Sequence, residues 1–216
     1  ESARYVRRRL QQEGLMEHII SSSGPFAQCS QYRFVVTGHS LGAGSAGILA
    51  LMLKPIIPRL ECLLYSPPSI LNPDAARAAR PFTVSLVLYK DVIPRLSIRN
   101  LQILRQNITD CIARCHQPKW RVWTKGLRGC PSTDLMSAGP GPLSETDPLL
   151  RMQHDPEQGL PTHELAALHW PPGVMLSLVP APSGGGRMQV VLTSNAAYSE
   201  ILVSKGALKH HLPDVV

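Results

Sequence analysis

The sequence predicts an α/β fold, a mostly parallel sheet with flanking helices. Three observations carry that reading. A short apolar strand at Arg33–Thr37 runs directly into a small-residue helix at Leu41–Leu53. Pro55 and Pro58 end that helix, and two further apolar runs of strand length, Glu61–Tyr65 and Phe82–Leu88, follow at intervals, each bounded by turn residues. The chain has 216 residues, 44% hydrophobic and 17% charged, which is enough to bury one sizeable core.

The remaining elements follow in order. Glu1 to Ile20 reads as one N-terminal helix, ended by the Ser/Gly/Pro break at Ser21–Pro25. Its cluster Arg4, Arg7, Arg8 and Arg9 contributes to a net charge of +7. The cluster lacks interleaved aromatics and any nucleic-acid motif, so it predicts a solvated helix face, or attraction to an anionic lipid surface, and no nucleic-acid partner. Leu96–Cys115 places Leu96, Ile98, Leu101, Leu104, Ile108 and Ile112 at helical spacing, which predicts a helix packed on a face of the sheet. Lys119–Thr124 reads as a strand. From Gly126 to about Pro172 periodicity gives way to Gly, Pro, Ser and acidic residues, which predicts a mobile insertion. Val174–Val179 and Met188–Thr193, joined through Pro182–Gly186, predict a hairpin.

Five cysteines without a CxxC pair argue against a disulfide framework and a common zinc site, and fit a reducing compartment. Cys111, Cys115 and His116 superficially suggest a metal cluster, but the two thiols lie one helical turn apart in an apolar run, so no metal and no cofactor is expected. The longest apolar stretch, Leu41–Leu53, is shorter than the roughly 20 residues a membrane span needs. The sequence begins without methionine and inside a helical pattern, which predicts a segment of a longer protein.

The chemistry centres on Gly38-His39-Ser40-Leu41-Gly42, a G-x-S-x-G motif between strand and helix, the nucleophile elbow of an α/β-hydrolase fold. Both Gly38 and Gly42 are expected to lack room for a side chain, with Ser40 strained and its hydroxyl lifted above the sheet. The backbone N–H of Leu41 is expected to supply one half of an oxyanion hole at the helix N-terminus. An overlapping G-x-G-x-x-G, Gly42 to Gly47, starts inside the helix rather than at the turn after the strand, so the glycines are assigned to close helix–sheet packing instead.

A serine needs a histidine base oriented by a carboxylate, and this fold supplies them in the order Ser, Asp, His. Asp91, just past the strand Phe82–Leu88, is the acid expected at the C-terminal edge of the sheet; a turn aspartate before Pro94 is the alternative. His210 and His211 both have the right order, and chemistry alone leaves the pair open. His39 is expected to point away from the site. His39, His18, His116, His154, His163 and His169 are expected to be non-catalytic.

Val36–Gly44, Tyr65-Ser66-Pro67-Pro68, Lys90-Asp91-Val92-Ile93-Pro94-Arg95 and Pro118-Lys119-Trp120 together resemble the sn-1-specific diacylglycerol lipases of the fungal-type (class 3) lipase group. The resemblance covers about Ala3–Leu127 and Pro171–Val216. It implies Ser40 as nucleophile and Asp91 as acid, and selects His211 over His210 because the histidine stands before Leu212-Pro213. It implies hydrolysis of the sn-1 ester of diacylglycerol to a 2-acylglycerol, such as 2-arachidonoylglycerol, and a fatty acid. It also implies a membrane-surface partner and a membrane-associated location with the catalytic domain facing the cytoplasm. By the same resemblance, 1–216 is the C-terminal part of a lipase catalytic domain lacking upstream strands, and 126–172 is a regulatory-type loop with Ser132, Thr133, Ser137 and Ser144 as phosphosite candidates. Two departures stand out, His210 before the histidine and Tyr89 where such enzymes tend to have glycine. The second expectation is a truncated, non-catalytic lipase-like segment that binds lipid or a partner.

Overall fold

The structure is a computed structural model and describes residues 1–20, 31–115, 120, 168–182, 186–204 and 206–212. The N-terminal segment forms two helices, α1 (Ser2–Gln12) and α2 (Leu15–Ile20), where the pattern predicts one. The break is at Gly14, whose φ of +68° ends α1 in a conformation that glycine adopts without a steric penalty. The arginine cluster is solvated, as its spacing suggests: Arg4 lies 3.8 Å from Glu1, and Arg9 hydrogen-bonds Glu13 one turn on. Ala3 and Met16, from the opposite face, enter the core.

The five-stranded sheet has the order β1 (Phe34–His39), β2 (Leu60–Tyr65), β3 (Thr83–Leu88), β4 (Val174–Pro180), β5 (Met188–Thr193). The first four strands are parallel and β5 returns antiparallel on β4. Between β1 and β2 runs α3 (Leu41–Leu53), and between β2 and β3 runs α4 (Pro73–Ala79). The α4 helix is an addition to the expected elements, although its start signal is present: Asn72 caps it by accepting from the Ala75 N–H at 2.8 Å, and Pro73 holds the first helical position.

The α3 helix is apolar and buried along most of its length because it is clamped between the sheet and α1. A Cβ on Gly47 would lie 2.9 Å from Pro172 and 3.2 Å from Leu64, and one on Gly44 3.1 Å from Pro68, so both glycines serve packing rather than a phosphate loop. Ala43, Ala46, Leu49, Ala50 and Leu53 meet Leu60, Cys62 and Leu64 beneath them.

Burial of Cys62 pushes its thiol from the ordinary 9.0 up to about 11, against a smaller pull down from the neighbouring Thr83 side chain. The unfolded chain therefore loses this proton at lower pH than the folded one, so the contribution is complete below pH 9 and is lost as pH rises from 9 towards 11. Urea midpoints should fall across that interval in the wild type, and Cys62→Ala should flatten the slope whatever it does to the midpoint at neutral pH.

A second cluster joins Leu71, Ala76, Leu168, Trp170 and Ala196. Of the segment 126–172, residues 126–167 lie outside the described residues, as does almost all of the expected strand Lys119–Thr124. Leu168 and Trp170 are buried, and Trp170 pairs with Leu71 through two backbone hydrogen bonds of 2.7 and 3.2 Å.

The long helix α5 (Ile98–Arg114) departs from expectation in its packing. Its apolar stripe is present, yet Ile98, Leu101, Ile108 and Ile112 are exposed, and Asn100 is its only buried residue among those described. Periodicity makes a helix amphipathic; it does not supply the partner. What fixes α5 is its first turn, where Ser97 caps the Asn100 N–H at 3.1 Å and the Asn100 amide donates to the carbonyls of Arg95 and Tyr198 at 2.8 and 3.0 Å.

Candidate active site

The C-terminal ends of β1, β2 and β3 share a construction that positions the site. Each is followed by a non-glycine residue with positive φ: Ser40 at +57° and Ser66 at +50° one residue past β1 and β2, and Tyr89 at +39° one residue past β3. Each also keeps its N–H in the sheet ladder, donating to Tyr65, Leu86 and Leu178 respectively at 2.9, 2.8 and 2.8 Å. The ladder thus holds the backbone in a conformation that side-chain sterics oppose, as is common at functional edges. Tyr89, where glycine was the expected occupant, adopts the glycine-like conformation regardless.

Ser40 caps α3. A Cβ on Gly38 would sit 2.6 Å from the Gly42 carbonyl, so this position tolerates only glycine, but Gly42 has nothing within 4 Å of its own Cβ position. The expectation that both glycines are sterically required is corrected to Gly38 alone: the elbow brings the backbone at Gly42 against Gly38, while the outer side of Gly42 faces open space. Leu41 is the first residue of α3, and N–H groups in a helical first turn have no partner within the helix.

The structure brings Ser40, His211 and Asp91 into one hydrogen-bonded chain. Ser40 Oγ lies 2.8 Å from His211 Nε2, and His211 Nδ1 lies 3.1 Å from Asp91 Oδ2. Asp91 is fully buried, and its other oxygen accepts the Ile93 N–H at 2.9 Å. The carboxylate thus has one oxygen engaged in its own turn and the other facing His211. A carboxylate can only accept, so His211 carries its proton on Nδ1 and presents Nε2 as an acceptor to the Ser40 hydroxyl.

His211 stands in a 3₁₀ turn, Lys209–His211, secured by the Val92 N–H donating to the Ala207 carbonyl at 3.4 Å. His210, open as an alternative on order alone, turns aside. Its ring meets Tyr89 edge-on at 5.6 Å and packs over Gly206, away from Ser40. His18 is exposed on α2, His169 precedes Trp170, and His116, His154 and His163 lie outside the described residues. Cys111 on α5 and Cys115 just past its end are half-buried, and no group of three or more metal-ligating side chains occurs among the described residues.

His39 is a correction. Its ring does not point away but stacks on His211, centroids 4.9 Å apart and planes 22° from parallel. Strand alternation would send successive side chains to opposite faces, and the φ of +57° at Ser40 breaks it, so His39 and Ser40 both reach His211.

Arg95 is a second residue that the sequence did not single out. It is buried beside the acid's loop, donates from Nη1 to the Ala197 and Glu200 carbonyls at 2.7 and 3.2 Å, and lies 5.0 Å over the Tyr198 ring. Burial pushes its guanidinium below the ordinary value, opposed by Tyr198, Glu200 and Asp91. Ser69 Oγ holds the adjoining Pro94 carbonyl at 2.6 Å. These bonds lock the Asp91 loop onto the segment leading to His211.

Next to the triad opens a cavity of about 250 Å³ lined by His39, Tyr65, Ser66, Leu86, Leu88, Leu178 and His211. Register explains it: His39, Tyr65 and Leu86 stand side by side across β1, β2 and β3, with Leu88 and Leu178 paired two residues further along. Its wall is overwhelmingly apolar, suited to a hydrocarbon chain.

Residues 9–101 match the family Lipase (class 3). Diacylglycerol lipase-beta of Mus musculus is 32% identical over 243 residues, covering 100% of this chain and 35% of that protein. Diacylglycerol lipase-alpha of Rattus norvegicus is 30% identical over 227 residues, and that of Homo sapiens 30% over 226, each covering 100% of this chain and 21% of the relative. The chain therefore spans about a third of the beta relative and about a fifth of the alpha relatives. Lipase II from Rhizopus niveus aligns with a TM-score of 0.36 and 15% identity over 93% of this chain and 52% of that one.

Proposed function

We propose that the chain carries the catalytic serine machinery of a class 3 lipase hydrolysing the sn-1 ester of diacylglycerol at a membrane surface facing the cytoplasm. The observation that carries the catalytic reading is the Ser40–His211–Asp91 chain at 2.8 and 3.1 Å.

In this mechanism Ser40 Oγ attacks the ester carbonyl carbon while His211 Nε2 takes the hydroxyl proton, and buried Asp91 stabilises the imidazolium through Nδ1–H. The carbonyl oxygen becomes an oxyanion that the Leu41 N–H meets at the start of α3, where the helix dipole favours negative charge. Collapse breaks the bond to the glycerol oxygen, which receives the proton from His211 and leaves as a 2-acylglycerol. Water then gives a proton to His211 and attacks the acyl-enzyme, releasing the fatty acid and restoring Ser40. The apolar cavity beside His211 is of a kind to take the acyl chain.

The test is fluorophosphonate labelling of the intact protein together with hydrolysis of diacylglycerol carrying its label at sn-1 or sn-2. Ser40→Ala and His211→Ala should abolish both readouts and His210→Ala should keep both, with labelled fatty acid arising from the sn-1 substrate. Labelling that persists in Ser40→Ala removes the nucleophile. Release from sn-2 alone removes the positional assignment and leaves the triad standing.

A further inference from the structure

We propose that His39 is a positioning residue for the base, a role that rests on the catalytic reading of Ser40 and His211. Two contacts define it. The His39 Nε2–H donates to the backbone carbonyl of His211 at 3.2 Å, and the two imidazole rings stack at 4.9 Å. A carbonyl only accepts, so the proton on His39 Nε2 is fixed by the contact itself.

The need for such a device follows from where the base sits. His211 belongs to a three-residue 3₁₀ turn far along the chain from the nucleophile, and its hydrogen bond to Ser40 disappears whenever Oγ is acylated. Between acylation and deacylation the ring is oriented by Asp91 and by His39. His39 is the last residue of β1, paired with Tyr65 of β2 and covalently joined to Ser40. It therefore ties the backbone of the base to the strand that carries the nucleophile, and the separation of Oγ from Nε2 is set through one rigid element.

Three variants separate the two contacts: His39→Gln keeps a donor without a ring, His39→Phe keeps a ring without a donor, and His39→Ala keeps neither. In the intact protein, His39→Ala is expected to lower kcat for a soluble short-chain ester by about 10- to 100-fold, the scale of a misplaced catalytic group, with KM within about twofold and the thermal midpoint unchanged. Fluorophosphonate labelling should slow in parallel, and Gln and Phe should each recover part of the loss. A raised KM at unchanged kcat would reduce His39 to its place in the cavity wall and overturn the proposal. So would Gln and Phe both as slow as Ala, or labelling of His39→Ala at the wild-type rate. Wild-type protein that does not label at all would overturn the triad reading and this role with it, a result distinct from each of the others.

Discussion

Replacing Asp91 by asparagine is expected to lower kcat by about 10⁴-fold while the protein stays folded. The reason is the division of labour between the two carboxylate oxygens. The introduced amide keeps its oxygen where Oδ1 accepts the Ile93 N–H, because the amide nitrogen cannot face another donor there. The NH₂ group must then occupy the place of Oδ2, opposite His211 Nδ1. A donor at that point forces Nδ1 to become the acceptor, so Nε2 carries the proton and can no longer take one from Ser40. The substitution removes a buried charge and nearly preserves shape, so the thermal midpoint should move little. Diacylglycerol hydrolysis within about tenfold of wild type would mean that Asp91 does not set the tautomer of the base.

Gly38→Ala is expected to destabilise the fold by about 3 kcal/mol and to abolish fluorophosphonate labelling, the upper end of the cost of overpacking. The added Cβ would lie 2.6 Å from both C and O of Gly42 and 2.8 Å from N of Ala43. These are backbone atoms that cannot rotate aside, in a helix start that is itself held by the Gly44 N–H donating to the Ser40 carbonyl at 3.1 Å. Relief requires the elbow to open, which moves Ser40 from His211. Gly42→Ala should act in the opposite direction, gaining about 0.5–1 kcal/mol, because its Cβ enters open space in a helical position where alanine is favoured over glycine. Denaturant midpoints of the two variants decide the matter; equal stability of Gly38→Ala and wild type would refute the close approach.

Much of the site was legible because its chemistry is written locally. The elbow is a contiguous pentapeptide, and the spacing of strand, Gly38, Ser40 and helix permits few other structures. Asp91 was legible from its place after an apolar strand, since parallel α/β sheets present their chemistry at that edge. His211 was less so. Residue order admitted His210 equally, and the two were separated by resemblance and then by geometry, because which neighbour in a 3₁₀ turn faces the serine depends on Tyr89 and Gly206 packing against His210.

The misses share a cause. His39 was expected to point away, and it reaches His211 because φ turns positive at the very next residue, Ser40. The exposure of α5 and the open side of Gly42 are facts about neighbours, which a periodicity does not contain. Arg95 was in plain view as part of a familiar segment, but its function lies in reaching the Ala197 and Glu200 carbonyls, about a hundred residues away.

By itself, then, the sequence determined the α/β order of the strands, the elbow around Ser40 and the place of Asp91 at the strand edge, since each depends on residues within one strand and the turn that follows it. The tertiary structure alone decided that His211 and not His210 faces Ser40, that His39 stands against His211, that of the two elbow glycines Gly38 is the one sterically obliged, and that an apolar cavity opens beside them. Those outcomes depend on strand register and on contacts between segments distant in sequence, and a distance of 2.8 Å between Ser40 and His211 exists only once β1 and the final turn have been brought together.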